Sequence, residues 1–501
     1  MVIDDFDACY RACCSRDARF DGWFYVAVTS THIYCRPSCP AMTPKPANLR
    51  FYPTAAAAQQ AGFRACRRCR PDASPGSPEW DLRADVVARA MRAISDGVVD
   101  RDGVAGLAGR LGYGVRQLER LIQVELGVGP LAIARAQRAQ TARVLIETTD
   151  LAFSEVAFAA GFSSIRQFNA TIRQVFALTP SQMRGRRREV VTGSQTIRVR
   201  LSHRLPYAAE GVLAHLALTA VPGVESFDRA TLTYRRTLRL PRGPALIAVT
   251  PRPGHLDCVV RLDDLRDLSA AVARLRWLFD LDADPVAIDA ALGVDPVLAP
   301  LVAAHGGRRV PRTPDGAELA VRAVLGQQVS TASAKGQTAR LVAALGEPLA
   351  RPEGSLTHLF PTAGAIAEGA GPLLRGPARR AMTVRTLAHA LAQGDLLLEP
   401  DADRVAALAS LDQVPGVGPW TSATVAMRAL GDPDAFVVDD LGVRAAASQL
   451  GLPVARRALL DHSAAWTPWR AYATQYLWGA LDHPVARLAD HDDRTDLRRT
   501  S

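Results

Sequence analysis

Lysine is almost missing from this chain. Of its 501 residues only Lys45 and Lys335 are lysines, so nearly all sixty basic residues are arginines, and no side-chain primary amine follows Lys335. Beside the abundant alanine, this looks like the usage of a GC-rich genome, and arginine number alone says little about function. Cysteine is absent after Cys258, which excludes a four-cysteine iron–sulfur cluster near the C-terminus. No run of about 18 apolar residues occurs, so a membrane-spanning helix and a membrane partner are not expected. The first residues, Met1 to Asp7, are acidic and lack the basic and apolar regions of a secretory signal, so a bacterial cytoplasmic location is expected. A Gly-Lys-Ser/Thr phosphate loop, a His-Glu-x-x-His zinc helix and a Gly-x-Ser-x-Gly elbow are all missing. No nucleotide cofactor is expected.

What is present is unevenly spread. Residues 1–188 hold 26 basic and 17 acidic side chains, whereas residues 189–501 hold 34 and 33. Of the net charge of +10, +9 therefore belongs to the N-terminal segment, which is suited to a polyanion such as double-stranded DNA. Seven of the eight cysteines lie within the first 69 residues. A Pro/Ser/Gly stretch over 71–78 separates that region from a helical, Arg-rich one. Short β-branched runs at Thr196–Leu201, Thr231–Leu240, Ala245–Thr250 and Asp257–Leu262 follow, punctuated by Pro and Gly as in an antiparallel sheet. Helical periodicity then runs from about Leu268 to Asp490. The expected fold class is multidomain, mainly α with α+β parts, with domains at 1–76, 81–188, 195–305 and 306–490.

Cys35-Arg-Pro-Ser-Cys39 and Cys66-Arg-Arg-Cys69 are two close pairs, a spacing suited to one tetrahedral zinc ion held by Cys35, Cys39, Cys66 and Cys69. Such a zinc can simply staple a domain too small to fold on its core. Cys9, Cys13 and Cys14 match no ligand pattern and read as ordinary helix cysteines. The segments Phe24–Cys39 and Gly62–Asp72 closely resemble the N-terminal domain of the adaptive-response (Ada) regulators. That resemblance implies that Cys35 accepts a methyl group from a methylated DNA phosphotriester while the other three complete the zinc site. Met42 stands where a basic residue is expected for the phosphate, with Lys45 and Arg50 as substitutes.

Residues Gly103–Leu121 and Phe153–Phe176 each read as helix, Gly-containing turn, helix. Gly161 supplies the second turn, and Ser163 or Ser164 can cap the helix after it. The second helices would present Arg116, Gln117 and Arg120, and then Arg166, Gln167 and Asn169, to the DNA major groove. Two such units joined by the helix Leu131–Glu147 resemble the AraC-type regulator domain over about residues 82–184. The resemblance implies promoter DNA as a partner, and RNA polymerase as a candidate partner in activation.

Near the C-terminus, Pro415-Gly-Val-Gly418 joins two helices. Gly416 and Gly418 permit a tight turn whose backbone N–H groups can hold a DNA phosphate. Twenty residues beyond Trp420 stands the pair Asp439-Asp440, which alone would read as a helix cap with an acidic neighbour. With the hairpin at this interval, the region resembles the helix-hairpin-helix DNA glycosylases, which implies Asp440 as the catalytic carboxylate and leaves Asp439 as the cap. Bifunctional members carry a lysine on the second hairpin helix; Trp420 stands there, which implies a monofunctional enzyme. Trp277–Asp282, Glu318–Ser330 and Trp466–Tyr472 narrow the match to 3-methyladenine DNA glycosylase II, over about 198–485. By that resemblance Trp420 and Trp478 line the base pocket, Gln327 contacts bases in the minor groove and Gln328 takes the wedge position, which is usually apolar. Thr424 and Gly479 occupy pocket positions that can be aromatic. The implied whole is a methyl acceptor, a transcription regulator and a glycosylase for alkylated purines in one chain. The alternative is a zinc-dependent regulator whose glycosylase portion is inactive and only binds DNA.

Overall fold

The structure is a computed structural model that describes residues 5–71, 86–185 and 196–481. The expected linker at 72–78, the end of the basic run at 186–188 and the domain limits at 76, 81, 188, 195 and 490 lie outside the described residues. No helix among the described residues is long and apolar enough to cross a membrane.

The first helix, α1 (Phe6–Cys14), starts at Asp5, whose carboxylate accepts the Ala8 N–H. It buries Cys9 and Cys13 against Phe24, Val26 and Leu49 and leaves Cys14 exposed, so these cysteines belong to packing. A four-stranded sheet follows in the order β3-β1-β2-β4, made of β1 (Tyr25–Val28), β2 (Ile33–Cys35), β3 (Leu49–Tyr52) and β4 (Arg64–Ala65). Helix α2 (Ala55–Gln60), capped by Thr54, lies between β3 and β4. The pairing of β2 with β4 is parallel, with Tyr34 opposite Ala65. That register sets Cys35 and Cys66, the next residue of each strand, side by side.

Seven helices come next: α3 (Val86–Ser95), α4 (Val98–Leu111), α5 (Val115–Leu126), α6 (Pro130–Thr148), α7 (Phe153–Ala159), α8 (Ile165–Phe176) and α9 (Pro180–Arg184). Pro130 opens α6, where its missing N–H costs nothing, and Ser164 rather than Ser163 caps α8 by accepting the Gln167 N–H.

An antiparallel five-stranded sheet in the order β5-β9-β8-β7-β6 is formed by β5 (Thr196–Ser202), β6 (Glu225–Asp228), β7 (Thr233–Leu240), β8 (Gly243–Arg252) and β9 (His255–Leu262). Strand β6 carries too few apolar residues to stand out in the sequence. Helix α10 (Ala209–Thr219) crosses between β5 and β6. Helices α11 (Leu268–Leu278), α12 (Pro285–Leu292), α13 (Ala299–His305), α14 (Gly316–Leu325) and α15 (Thr331–Leu345) follow. A two-stranded hairpin, β10 (Pro348–Glu353) and β11 (Leu356–His358), then interrupts a region read from its sequence as helical. The Pro-Glu-Gly at 352–354 is the turn chemistry that the surrounding alanine and leucine masked. The remaining helices are α16 (Ala363–Gly369), α17 (Ala378–Gln393), α18 (Arg404–Asp412), α19 (Pro419–Arg428), α20 (Leu441–Gln449), α21 (Arg456–Ser463) and α22 (Arg470–Ala480).

The cores do not follow the sequence segments one for one. A single cluster runs from Tyr34 and Phe63 through Leu145 of α6 and Phe168 of α8 to Ile197 of β5 and Leu275 of α11. Toward the C-terminus a pair of cores meets at α19, with Val425 in one and Met427 in the other. Helix α19 is thus fixed from both sides, and so is the hairpin that begins it.

Much of the glycosylase-like motif set is spent on this packing. Asp280 and Arg312 form an ion pair at 3.0 Å with 0% and 1% side-chain exposure. The Arg312 guanidinium lies 4.1 Å from the Trp277 ring centre, and the Tyr472 hydroxyl donates to Asp280 at 2.9 Å. Trp466 donates to Asp295 at 2.8 Å. Glu318 of α14 bonds Arg236 of β7 and Arg322 of its own helix, each at 2.7 Å, joining the sheet to the helices.

Candidate functional site

The four sulfur atoms of Cys35, Cys39, Cys66 and Cys69 all lie within 4.8 Å of one another. A tetrahedral zinc with Zn–S near 2.3 Å needs sulfurs about 3.8 Å apart, so this soft four-thiol set fits zinc after a small contraction. Cys35 is half-buried, while Cys39, Cys66 and Cys69 are 9%, 9% and 5% exposed as whole residues. The loop between Cys35 and Cys39 is held by Asp21. Its carboxylate accepts the Ser38 N–H at 3.0 Å and the Ser38 hydroxyl at 2.6 Å, and pairs with Arg36 at 3.1 Å. Met42 is 89% exposed on the chain that follows Cys39; Lys45 and Arg50 are exposed as well.

On α5, Arg116, Gln117 and Arg120 are exposed while Leu118 and Ile122 are buried. On α8, Arg166 and Gln167 are exposed, Asn169 is half-buried, and Phe168 and Ile172 face the core. Gly161, at φ +84°, makes the turn before α8. Both helices therefore present a polar ridge of long side chains on a rigid support, as major-groove reading requires.

The hairpin between α18 and α19 turns at Gly416, whose φ is +92°. A Cβ there would stand 2.1 Å from the Thr383 hydroxyl, so only glycine fits. Gly418 is the N-cap of α19, with Pro419 at its first position. Neighbouring elements tie the hairpin down. Thr383 of α17 donates to the Pro415 carbonyl at 2.9 Å. The Gln327 amide donates to the Gly416 carbonyl at 3.1 Å and the Thr421 hydroxyl at 2.9 Å. The amide N–H group of Gln327, the residue read as a minor-groove contact, thus braces the hairpin. Gln328 beside it is exposed on the loop, with φ +54°, a conformation that non-glycine residues seldom adopt. Arg380 donates to the Gln327 carbonyl at 2.7 Å, so the first turn of α17 braces both the loop and the hairpin. Sequence reasoning missed Arg380 and Thr383, which belong to no motif and act through tertiary contact.

Asp440 meets both tryptophans. The Trp420 indole N–H donates to its Oδ2 at 3.0 Å, and the Trp478 indole N–H donates to Oδ1 at 2.9 Å. Oδ1 also accepts the Val443 N–H at 3.1 Å, which makes Asp440 itself the N-cap of α20. The expected assignment of the cap to Asp439 is therefore wrong: Asp439 turns outward and pairs with Arg456 at 3.1 Å. The physical reason is register, since a capping carboxylate must sit immediately before the first helical residue, Leu441. Three N–H donors and the positive end of α20 thus converge on one half-buried carboxylate. Gly442 admits this packing; a Cβ there would lie 3.1 Å from Asp440 Oδ1 and 3.2 Å from Trp478 Cδ1.

Two further side chains reach the same neighbourhood. His215 of α10 stacks on Trp478, with ring centres 6.1 Å apart and planes 21° from parallel. Arg308 lies against Gly479, where a Cβ would come within 2.2 Å of the guanidinium carbon. It fills the space that an aromatic side chain would otherwise take. Thr424 is 8% exposed and donates to the Trp420 carbonyl at 2.8 Å. Neither His215 nor Arg308 carried a sequence signal.

Three family signatures match the chain: the metal binding domain of Ada over residues 8–72, a helix-turn-helix domain over 107–186 and the AlkA N-terminal domain over 198–315. A Mycobacterium tuberculosis protein described as a probable bifunctional transcriptional activator/DNA repair enzyme AlkA is 59% identical over 486 residues, covering 96% of this chain and 98% of that protein. The Escherichia coli DNA-3-methyladenine glycosylase 2 is 31% identical over 284 residues, 56% of this chain and 95% of that one. Among solved structures, the 3-methyladenine DNA-glycosylase from Archaeoglobus fulgidus superposes with a TM-score of 0.48 at 22% identity, covering 56% of this chain and 97% of that chain.

Proposed function

Since the chain belongs to the family of the bifunctional transcriptional activator/DNA repair enzyme AlkA, we propose that it hydrolyses the N-glycosidic bond of alkylated purines at Asp440 and takes a methyl group from DNA at Cys35. It is a DNA-binding transcriptional activator and DNA repair protein with a glycosylase region and an Ada-type metal domain. The division into a metal domain, a paired helix-turn-helix unit, an accessory sheet domain and a helix-hairpin-helix domain is the working assignment. RNA polymerase is the partner proposed for activation.

The observation that carries the glycosylase reading is the carboxylate of Asp440 gripped by the Trp420 and Trp478 N–H groups, beside a hairpin only glycine can make. As the C1′–N bond of a flipped nucleotide lengthens, positive charge builds on the sugar. A fixed carboxylate stabilises that charge and orients the water that adds to C1′. The base leaves with the bonding electron pair. An N3- or N7-methyl purine already carries positive charge and departs as a neutral molecule, so little acid assistance is needed. The indoles have two uses: their N–H edges hold Asp440, and their faces offer π surface to a cationic base. No lysine lies beyond Lys335, so the product is an abasic site without amine-catalysed strand cleavage.

At the N-terminal site, Cys35, Cys39, Cys66 and Cys69 would hold zinc, which keeps thiols ionised at neutral pH. The Cys35 sulfur then attacks the methyl carbon of a phosphotriester; the S–C bond forms, the O–C bond breaks, and a phosphodiester leaves. The formal charge of the cluster falls from −2 to −1, which favours closer approach to DNA phosphates.

The test is base release from methylated duplex DNA by wild type and Asp440→Asn, with circular dichroism to verify folding. Wild type should release methylpurines and the variant should lose at least about a hundredfold in rate. Near-normal turnover by the folded variant removes Asp440 from the reaction, and no release by wild type favours a regulator that only binds DNA. Mass spectrometry of the same incubation should place +14 Da on Cys35; a protein left unmodified there keeps only a structural zinc.

A further inference from the structure

His215 is the side chain the mechanism leaves unused. It is 6% exposed, sits in the middle of α10, and neither ring nitrogen has a hydrogen-bond partner among the described residues. Leaving both nitrogens of an imidazole buried and unsatisfied is costly, and a phenylalanine would fill the same space without the cost. The ring is not remote from the chemistry. It lies nearly parallel to the Trp478 indole, whose N–H grips Asp440. Burial, reinforced by the positive charges of Arg428 and Arg322, holds the histidine well below its usual pKa, so it stays neutral at physiological pH. A neutral imidazole offers one donor and one acceptor on diverging sides of the ring, and either can meet a complementary group on a purine edge.

We propose that His215 is a specificity residue of the glycosylase, one of its ring nitrogens hydrogen-bonding the edge of the alkylated purine that enters beside Trp478. The proposal rests on the glycosylase reading above and adds to it a polar reader in an otherwise aromatic pocket. A hydrophobic wall discriminates weakly between isosteric bases, whereas a buried hydrogen-bonding group penalises any base that leaves it unpaired. His215 would therefore act on the choice among methylated purines more than on the bond-breaking step. Its neutrality also matters, because a charged imidazolium would repel a cationic base.

The experiment measures single-turnover release of 3-methyladenine and 7-methylguanine from one preparation of methylated duplex DNA. It compares full-length wild type, His215→Phe, His215→Gln and Asp440→Asn. Removing the hydrogen bond in His215→Phe should change the ratio of the two rates by about tenfold, while His215→Gln, which keeps a donor and an acceptor, should recover some of the wild-type ratio. His215→Phe should also melt about 2–4 °C higher, the mark of a polar group kept at the expense of stability. If His215→Phe keeps both rates and their ratio while Asp440→Asn is inactive, the proposal fails and the glycosylase reading stands. If wild type releases neither base, the glycosylase reading fails first and this proposal falls with it.

Discussion

The Arg204 guanidinium donates to the backbone carbonyl of Asp21, 183 residues earlier in the chain, and to the carbonyl of Asp282 at 2.8 Å. Asp21 is the residue whose carboxylate holds Arg36 and Ser38 between the first two cysteines of the metal cluster. An arginine that follows β5 of the AlkA-type sheet thus supports the loop that carries Cys35. Arg204 is 6% exposed, so the contact is made out of water, where a hydrogen bond from a charged donor is strong and its loss is felt.

Replacing Arg204 by methionine, which keeps most of the aliphatic stem, should therefore loosen the metal domain rather than the glycosylase domain. The expected result is a several-fold faster loss of zinc to a chelator, read with a colorimetric zinc dye, with base release from methylated DNA unchanged. Equal zinc-release rates for Arg204→Met and wild type would show that the Asp21 loop stands without it.

The exposed ridge of α8 carries the next expectation. Arg166 stands two residues after the Ser164 cap, on the first turn of a helix whose other face is locked by Phe168 and Ile172. A side chain placed there would be in position to read base edges, where each good bidentate contact is worth about 1–3 kcal/mol of discrimination. Arg166→Ala should weaken binding to a cognate promoter by about tenfold or more and to random duplex much less, measured by titration at one fixed salt concentration. An equal loss on both DNAs would make Arg166 a phosphate contact.

How much of this was legible in the sequence depends on whether a residue acts within a motif or across the fold. The cysteine pairs, both Gly-turn hairpins and the Pro-Gly-Val-Gly bend were readable because local geometry demands particular residues there. Gly416 is the clearest case, since Thr383 leaves no space for a Cβ. The twenty-residue interval tied Asp440 and the Trp420 hairpin to one family resemblance, but neither their hydrogen bond nor the roles within Asp439-Asp440 could be read from it. Which of two adjacent carboxylates caps a helix depends on a boundary one residue wide. His215, Arg308, Arg380 and Arg204 were invisible for another reason. Each meets its partner across 53 to 263 residues of chain, as Arg380 does Gln327 and His215 does Trp478, and no periodicity records such contacts.

Acid should weaken the fold through histidine. Burial, with Arg309 and Arg276 nearby, pushes His203 down to about 4, from a value near 6.5 in the unfolded chain. The unfolded state therefore takes up a proton before the folded one does. Stability is fully present above about pH 6.5 and is lost as the pH falls from there toward 4. His203→Phe, which keeps a ring to stack on Tyr207 (4.2 Å between centres in wild type), should flatten the fall in melting temperature across that window. An unchanged slope would assign the acid sensitivity to other groups, His215 first among them.

The network around Glu318 supplies the largest expected loss of stability. Glu318 and Glu225 each have 2% side-chain exposure, and they face Arg236 (4%) and Arg322 (19%), two negative groups against two positive ones. Tyr234 adds a hydroxyl donor to Glu225. Glu318→Gln removes one negative charge and leaves an uncompensated arginine in the interface between β7 and α14, which costs about 3–5 kcal/mol. Removing Arg236 as well, in the pair Glu318→Gln with Arg236→Met, restores the charge balance and should recover some of that loss. Denaturant unfolding of the two single variants and the double variant forms a complete cycle. A coupling near zero would mean that the sheet and helix are held by apolar packing, with the ion pairs merely tolerated. A coupling of 1 kcal/mol or more, within the range of about 0.5–3 kcal/mol for residues in one network, would show that the charges themselves fix how β7 and its sheet seat against α14.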